Sequence, residues 1–458
     1  MRKDAGVDGD AQRISQMVWM LFMKIYANKE KEWSNSVKTF QSPIPENLKW
    51  DNWAVNQDLN GNDLIEFINT KLFPELKGLD NSKSDNAGIV KSVFEDTYNY
   101  MKNGILFRQV LNEIDKINLN DKKNSHVFND IYESILKELQ SAGSSGEFYT
   151  PRAVTQFVVE MVNPVLGETV LDPACGTGGF LTCAIDYIQN NSSEKQDIQI
   201  LQKHIQGVEK KPLPHLLCTT NLMLHNFDCP KIQRGNLLTR PFDSWRNKDQ
   251  VSIVLSNPPF GGIEEDGIEK NFPENFRTKE TADLFLTLII KILKKGGRAG
   301  VVLPDGSLGG NGVTTRIRKE LLTNCNLHTV IRMPKGVFNP YTSIKTNLLF
   351  FEKGKPTEEI WYYEMPYPEG YKNFSKSRPI SSNHFDKVKK WWANKEVNEF
   401  AWKVDIEQIR KNNYSLDFNN PFFNTEIESY SSTELLKQLT DSMDKSQRLI
   451  EEIKNSLI

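Results

Sequence analysis

Apolar positions recur at helical spacing through the first third of the chain, and the pattern changes near residue 147. Ile14, Met17, Val18, Leu21 and Ile25 form one stripe of threes and fours; Val127, Phe128, Ile131, Ile135 and Leu139 form another. Leu64 to Phe73 adds a helical segment expected to end before Pro74. Stripes of this kind are core faces, so residues 1–145 are predicted to be a helical N-terminal domain. It closes on Ser141-Ala-Gly-Ser-Ser-Gly146, a small-residue run that reads as a linker or flexible loop.

Beyond it, short apolar runs alternate with amphipathic stretches. Thr169 to Leu171, Ile205 to Val208, Val251 to Leu255, Gly300 to Leu303, His328 to Ile331 and Asn347 to Phe351 read as strands, and Val154 to Val162 and Ala282 to Lys294 as helices. This alternation predicts an α/β fold with a mostly parallel, doubly wound sheet. In such sheets ligands bind at the carboxyl ends of the strands. Residues 355–430 are aromatic-rich and irregular, with Trp361, Tyr362, Tyr363, Trp391, Trp392 and Trp402 expected to pack a small appended region rather than stack on bases. The tail opens with a capping-box pattern, Ser431 to Glu434, then places Leu436, Leu439, Met443, Ser446, Ile450, Ile453 and Leu457 at spacings of three and four. That narrow seam suits packing on another subunit or folding back on its own domain. The division expected is 1–145, 146–425 and 426–458.

Composition narrows the options. At 458 residues the chain is long enough for two or three domains, and a net charge of −2 gives no global basic field. Nucleic-acid affinity would then be local or supplied by a partner. The five cysteines lie singly without a C-x-x-C pair, which fits a reducing cytoplasm and argues against a zinc ribbon or disulfide framework. Met17 to Met23, the most apolar N-terminal run, is too short to span a bilayer. A soluble cytoplasmic protein with no membrane partner and no metal site is expected.

The candidate chemistry lies at the predicted strand ends. Asp172-Pro-Ala-Cys-Gly176-Thr177-Gly178-Gly179-Phe180 follows the first strand and opens a helix; its glycines permit a tight turn and close backbone approach to a ligand. No G-x-x-x-x-G-K-[ST] occurs, so a Walker loop is excluded, and the pattern is not a full G-x-G-x-x-G. Asp172 could hold an amino group directly or through water. Glu209 ends the second strand, where a carboxylate can accept bonds from both ribose hydroxyls. Asn236 lies in a further turn and could meet an adenine edge. Upstream, Glu147-Phe148-Tyr149-Thr150-Pro151-Arg152 precedes a helix with Thr150 as N-cap and Pro151 as first helical residue.

After the strand at 251–255 comes Asn257-Pro258-Pro259-Phe260. Pro-Pro after a strand can be only a stiff turn. The same four residues also suit a planar amine: the amide oxygen of Asn257 and the backbone carbonyl of Pro258 can both accept from one NH2, while Phe260 stacks on the ring that carries it. The polar stretch Gly261 to Thr281 either closes over that ring or is disordered.

Together, the segments 147–152, 172–180 and 257–260 resemble the N6-adenine DNA methyltransferases, and among them the modification subunit of type I restriction-modification systems. The resemblance covers most of the chain. It implies a Rossmann-like fold using S-adenosylmethionine, with Glu147 to Arg152 and Thr177 to Gly179 lining the cofactor, Asp172 near its methionine part and Glu209 on its ribose. Asn236 stands where many relatives carry Asp. A flipped adenine would stack on Phe260 and give its N6 hydrogens to Asn257 and Pro258. The resemblance also implies double-stranded DNA, a specificity subunit, a second modification subunit and a restriction subunit as partners, with the tail on the specificity subunit's helices. Because Asn-Pro-Pro-aromatic serves any planar amine, methylation of an RNA guanine or a protein glutamine amide is the alternative reading.

Overall fold

The computed structural model describes residues 1–117 apart from 37, 38 and 83, residues 134 and 135, residues 149–422 apart from 193–196, and scattered positions from 436 to 449. Glu147, Phe148, the 141–146 run, most of the second predicted stripe, the Ser431 capping box and the end of the tail lie outside the described residues.

Helix α1 (Gly9–Ser36) is the axis of the N-terminal region. Ile14, Val18, Leu21 and Ile25 of the predicted stripe are buried, and so are Trp19, Met20, Phe22 and Tyr26 on its other sides. The helix is therefore central rather than one-faced, surrounded by α2 (Asp85–Phe94), α3 (Gly104–Asp115) and shorter turns. The helix predicted to stop before Pro74 continues past it. Gly61–Phe67 passes through a π-helical turn at Ile68–Leu72 into Phe73–Lys77, where Pro74 sits in the first turn. A proline costs no hydrogen bond in a first turn, and the wider π turn resets the ladder just before it.

A nine-stranded sheet follows, in the order β3-β2-β1-β4-β5-β7-β6-β8-β9. Strands β1 (Val170–Asp172), β2 (Ile205–Glu209), β3 (Lys231–Arg234), β4 (Val251–Ser256) and β5 (Leu293–Pro304) run parallel. β7 (Thr346–Lys353) inserts antiparallel between β5 and β6 (Cys325–Arg332). Every strand predicted from sequence is present, and the sheet is mostly parallel. Strand β3 was not among the predicted strands, because Lys231, Gln233 and Arg234 leave a four-residue edge strand with one buried apolar residue, Ile232.

Residues 355–411 correct the expectation of an appended region. β8 (Glu359–Glu364) pairs parallel with β6, and β9 (Ala401–Asp405) pairs antiparallel with β8, so the segment widens the same sheet. Its aromatics pack as expected: Tyr362 stacks on Trp402 at 5.4 Å, and Trp361 meets Trp391 edge-on at 5.7 Å.

Helices cover both faces. α4 (Arg152–Val162) and α5 (Gly179–Asn191) share one core; α7 (Thr281–Ile292) and α8 (Val313–Asn324) share the other. α6 (Pro212–Leu224) faces two ways, because Leu216, Leu217 and Met223 belong to the core built around α1. Trp33 Nε1 donates to Asp228 Oδ1 at 2.8 Å, and Arg234 pairs with Asp96 at 2.6 Å across the same boundary. The N-terminal helices are thus packed directly behind the strand ends that carry the predicted site. Strand order reverses between β1 and β4, which opens a crevice at their carboxyl ends.

Candidate active site

Four strand ends and one helix start converge on this crevice, which holds a cavity of about 280 Å³. Thr150, Asp172, Gly176, Thr177, Gly179 and Glu209 line it. Asn236 and the whole corner Asn257, Pro258, Pro259 and Phe260 line it as well. Residues read from five separate stretches of sequence therefore meet in one space.

Asp172 ends β1 almost fully buried; its Oδ1 accepts from Ala174 N at 3.1 Å and Ser256 Oγ at 2.9 Å. Burial outweighs these bonds and pushes its carboxyl up to about 7. Glu209 ends β2, with Oε2 accepting from Gly176 N at 2.9 Å and Oε1 from Lys211 N at 2.6 Å. Burial raises this carboxyl too. Lys210 N adds a third backbone contact, and the remaining acceptor capacity of the carboxylate is available to a further donor. Glu209 thus locks the glycine turn to its own strand while keeping capacity for a diol.

Gly178 adopts φ +83°, in the left-handed region, and a Cβ there would lie 2.8 Å from Cys218 Sγ on α6. Its glycine serves the packing of the turn against α6 rather than the cavity wall. Arg152 also lies behind the turn, donating to Gly179 O at 3.3 Å and Thr182 Oγ1 at 2.6 Å, and does not line the cavity. Tyr149 is buried in the core around α1. The helix start is offset by one residue from expectation: Pro151 is the N-cap of α4, and its carbonyl accepts from Val154 N and Thr155 N. Thr150 is left outside the helix, with its hydroxyl free for another task.

That task is Asn257. Its Nδ2 donates to Thr150 Oγ1 at 3.1 Å, while its Oδ1 is buried without a protein partner. A buried amide oxygen left unpaired costs about 1–3 kcal/mol, which points to a ligand donor. The neighbouring Phe260 ring is 7% exposed, edge-on to Phe338 at 6.1 Å and tilted to Tyr341 at 6.5 Å. Tyr341 also lines the cavity, so an aromatic wall faces the acceptor.

Tyr341, Lys210 and Lys211 line the cavity without having been singled out in the sequence, and Ile263 and Glu264 of the 261–281 stretch line it too. Tyr341 follows Asn339-Pro340, an Asn-Pro-aromatic run that carried a usable signal. The 261–281 stretch packs against the body of the domain. Ile268, Phe272 and Phe276 are buried, and its base is closed by the Ile263–Glu280 bridge and Thr281 N to Gly262 O at 3.3 Å. Their spacing of four among charged residues was the missed clue. Asn236 caps the turn Leu237–Thr239 through Leu238 N at 3.0 Å and donates to Glu264 Oε2 at 3.1 Å.

A family model described as N-6 DNA Methylase matches residues 123–429, and one for the HsdM N-terminal domain matches residues 1–114. The chain belongs to the N-6 DNA methylase family. It is 51% identical to the type I restriction enzyme EcoEI methylase subunit of Escherichia coli, over all of this chain and 94% of that one. A solved modification subunit of a type I restriction enzyme from Vibrio vulnificus YJ016 is 41% identical and superposes with a TM-score of 0.83, covering 93% of this chain and 96% of that one. A structure solved for complex assembly and conformational transition of a type I restriction-modification system matches at 34% identity and TM-score 0.83, over 100% of this chain and 95% of that one. As a member, this N-6 DNA methylase is an S-adenosylmethionine-dependent methyltransferase whose reaction is DNA methylation at adenine N6. Among its described residues no helix is long and apolar enough to cross a membrane.

Proposed function

We propose that this cavity holds S-adenosylmethionine beside a flipped adenine, and that the chain is the modification subunit of a type I complex. The unpartnered Oδ1 of Asn257 carries this reading. Its position next to Phe260 matches a planar amine, and burial makes an acceptor there worth far more than in water. The residues fit the cofactor as well: a glycine turn, the Glu209 carboxylate with spare lone pairs, and Asp172 for the methionine ammonium. Bound S-adenosylmethionine supplies the methyl group.

In this mechanism Asn257 Oδ1 and the Pro258 carbonyl accept the two N6 hydrogens. Those bonds draw the nitrogen toward tetrahedral geometry and aim its lone pair at the methyl. Phe260 and Tyr341 hold the base plane. The protein's contribution is orientation and electrostatic complementarity, without a covalent enzyme intermediate.

The domain division 1–145, 146–425 and 426–458 accompanies this reading, with double-stranded DNA, a specificity subunit, a second modification subunit and a restriction subunit as cytoplasmic partners. Leu436, Leu439 and Met443 support a docking role for the tail: they lie on helical backbone and are 63%, 58% and 64% exposed. The deciding experiment is Asn257→Ala. Calorimetry should show cofactor binding within about threefold of wild type. Transfer of labelled methyl to DNA, with the specificity subunit present, should fall to background. Transfer near the wild-type rate refutes the mechanism; parallel RNA and protein substrates test the alternative amine classes.

A further inference from the structure

With the ribose at Glu209, the cofactor's base must extend past the end of β2 toward Lys210, Gly235, Asn236, Ile263 and Glu264. An adenine carries an exocyclic amine on its edge, which needs an acceptor there. Asn236 is poorly placed to be that acceptor. Its Oδ1 already accepts from Leu238 N at 3.0 Å and its Nδ2 donates to Glu264 Oε2 at 3.1 Å, so the amide is turned to cap the 237–239 turn and to hold Glu264.

We infer that Glu264 accepts the amino group of the cofactor's adenine, and that Asn236 is the positioning residue that holds Glu264 for it. This rests on the cofactor reading above. The Glu264 side chain is only 10% exposed, and its contacts with Asn236 and with Lys210 Nζ (3.5 Å) both fall on Oε2. Oε1 keeps its lone pairs for a ligand donor. A carboxylate accepts such a bond more strongly than an amide does, because the bond is charge-assisted. Glu264 N donates to Lys279 O at 3.0 Å, which anchors the backbone beneath the side chain. Beside it, Ile263 lines the cavity yet is 73% exposed, an apolar surface that a bound purine would cover. The segment that begins at the Asn257 corner thereby also selects the cofactor.

Calorimetry on the full chain tests this with S-adenosylhomocysteine and its 6-oxo counterpart, S-inosylhomocysteine. The 6-oxo group turns the donor into an acceptor. The wild type should prefer the amino form by roughly a hundredfold, as expected where a partly buried acceptor is left unsatisfied. Glu264→Gln offers an amide NH2 to the 6-oxo group, and should reduce that preference at least about tenfold. Asn236→Ala should also reduce it, with no further loss when added to Glu264→Gln. An unchanged preference in E264Q overturns this inference alone. A wild type that fails to bind S-adenosylhomocysteine overturns it together with the proposed function.

Discussion

Asn257 Nδ2 and Thr150 Oγ1 lie 3.1 Å apart although 107 positions separate them in sequence, and with Nδ2 on Thr150 the amide oxygen is left as acceptor. The Asn257 corner is therefore set by the segment before α4 as much as by its own prolines. Thr150→Val removes the anchor and leaves the Nδ2 donor unpaired. A disturbance of about 1–3 kcal/mol is expected, so kcat should fall roughly tenfold to a hundredfold in methyl-transfer assays. Thr150 also lines the cavity, so cofactor affinity should be measured alongside; a loss of affinity with kcat intact would contradict the anchoring role.

With Asp172 on the methionine ammonium as proposed, cofactor binding is expected to depend on pH. Its carboxyl is held at about 7 by burial, and the ionised form is the one that receives an ammonium. Affinity for S-adenosylmethionine should therefore rise by up to about tenfold per pH unit from pH ~5.5 toward ~7. Asp172→Asn should flatten the profile. For folding without ligand the sign is opposite: this group's contribution is present in full below its ordinary carboxyl value, and is lost as pH rises through about 7. Thermal melts of the free protein, compared with Asp172→Asn, read that second trend.

Phe260 and Tyr341 both line the cavity, and because their planes are tilted by 55° one ring stacks on the base while the other meets its edge in the proposed complex. Stacking is worth about 1–3 kcal/mol per base. Either ring replaced by Ala should raise KM for DNA or lower kcat by roughly tenfold to a hundredfold. Fluorescence of 2-aminopurine at the target position should report less of the flipped state. A Tyr341→Ala variant with wild-type fluorescence and kinetics would remove Tyr341 from the site.

Gly178 and Gly261 make a matched pair for backbone strain. Both have positive φ, +83° and +72°, but a Cβ at Gly261 meets nothing within 4 Å, whereas at Gly178 it meets Cys218 Sγ at 2.8 Å. Gly261→Ala should lose about 1–2 kcal/mol from the left-handed conformation alone. Gly178→Ala should lose more, because the clash adds to it, and should also weaken cofactor binding. Denaturant titrations give the two costs; equal values would show that α6 yields to the added methyl.

The amino-acid order by itself determined the helical beginning, the strands predicted between 169 and 351, and the three motif segments that announce an amine methyltransferase. Those are local properties: side-chain periodicity, turn residues and caps are set by neighbours a few positions apart. β3, β8 and β9 escaped because short or aromatic-rich strands declare themselves only when a partner strand pairs with them. Pro74 was misread as a stop because a π turn can absorb it. Only the tertiary structure decided that Thr150 anchors Asn257, that Asn236 holds Glu264, and that Tyr341 faces Phe260. Each of those pairs joins residues far apart in sequence, and hydrogen-bond or ring geometry exists between them only after the sheet has brought its strand ends together.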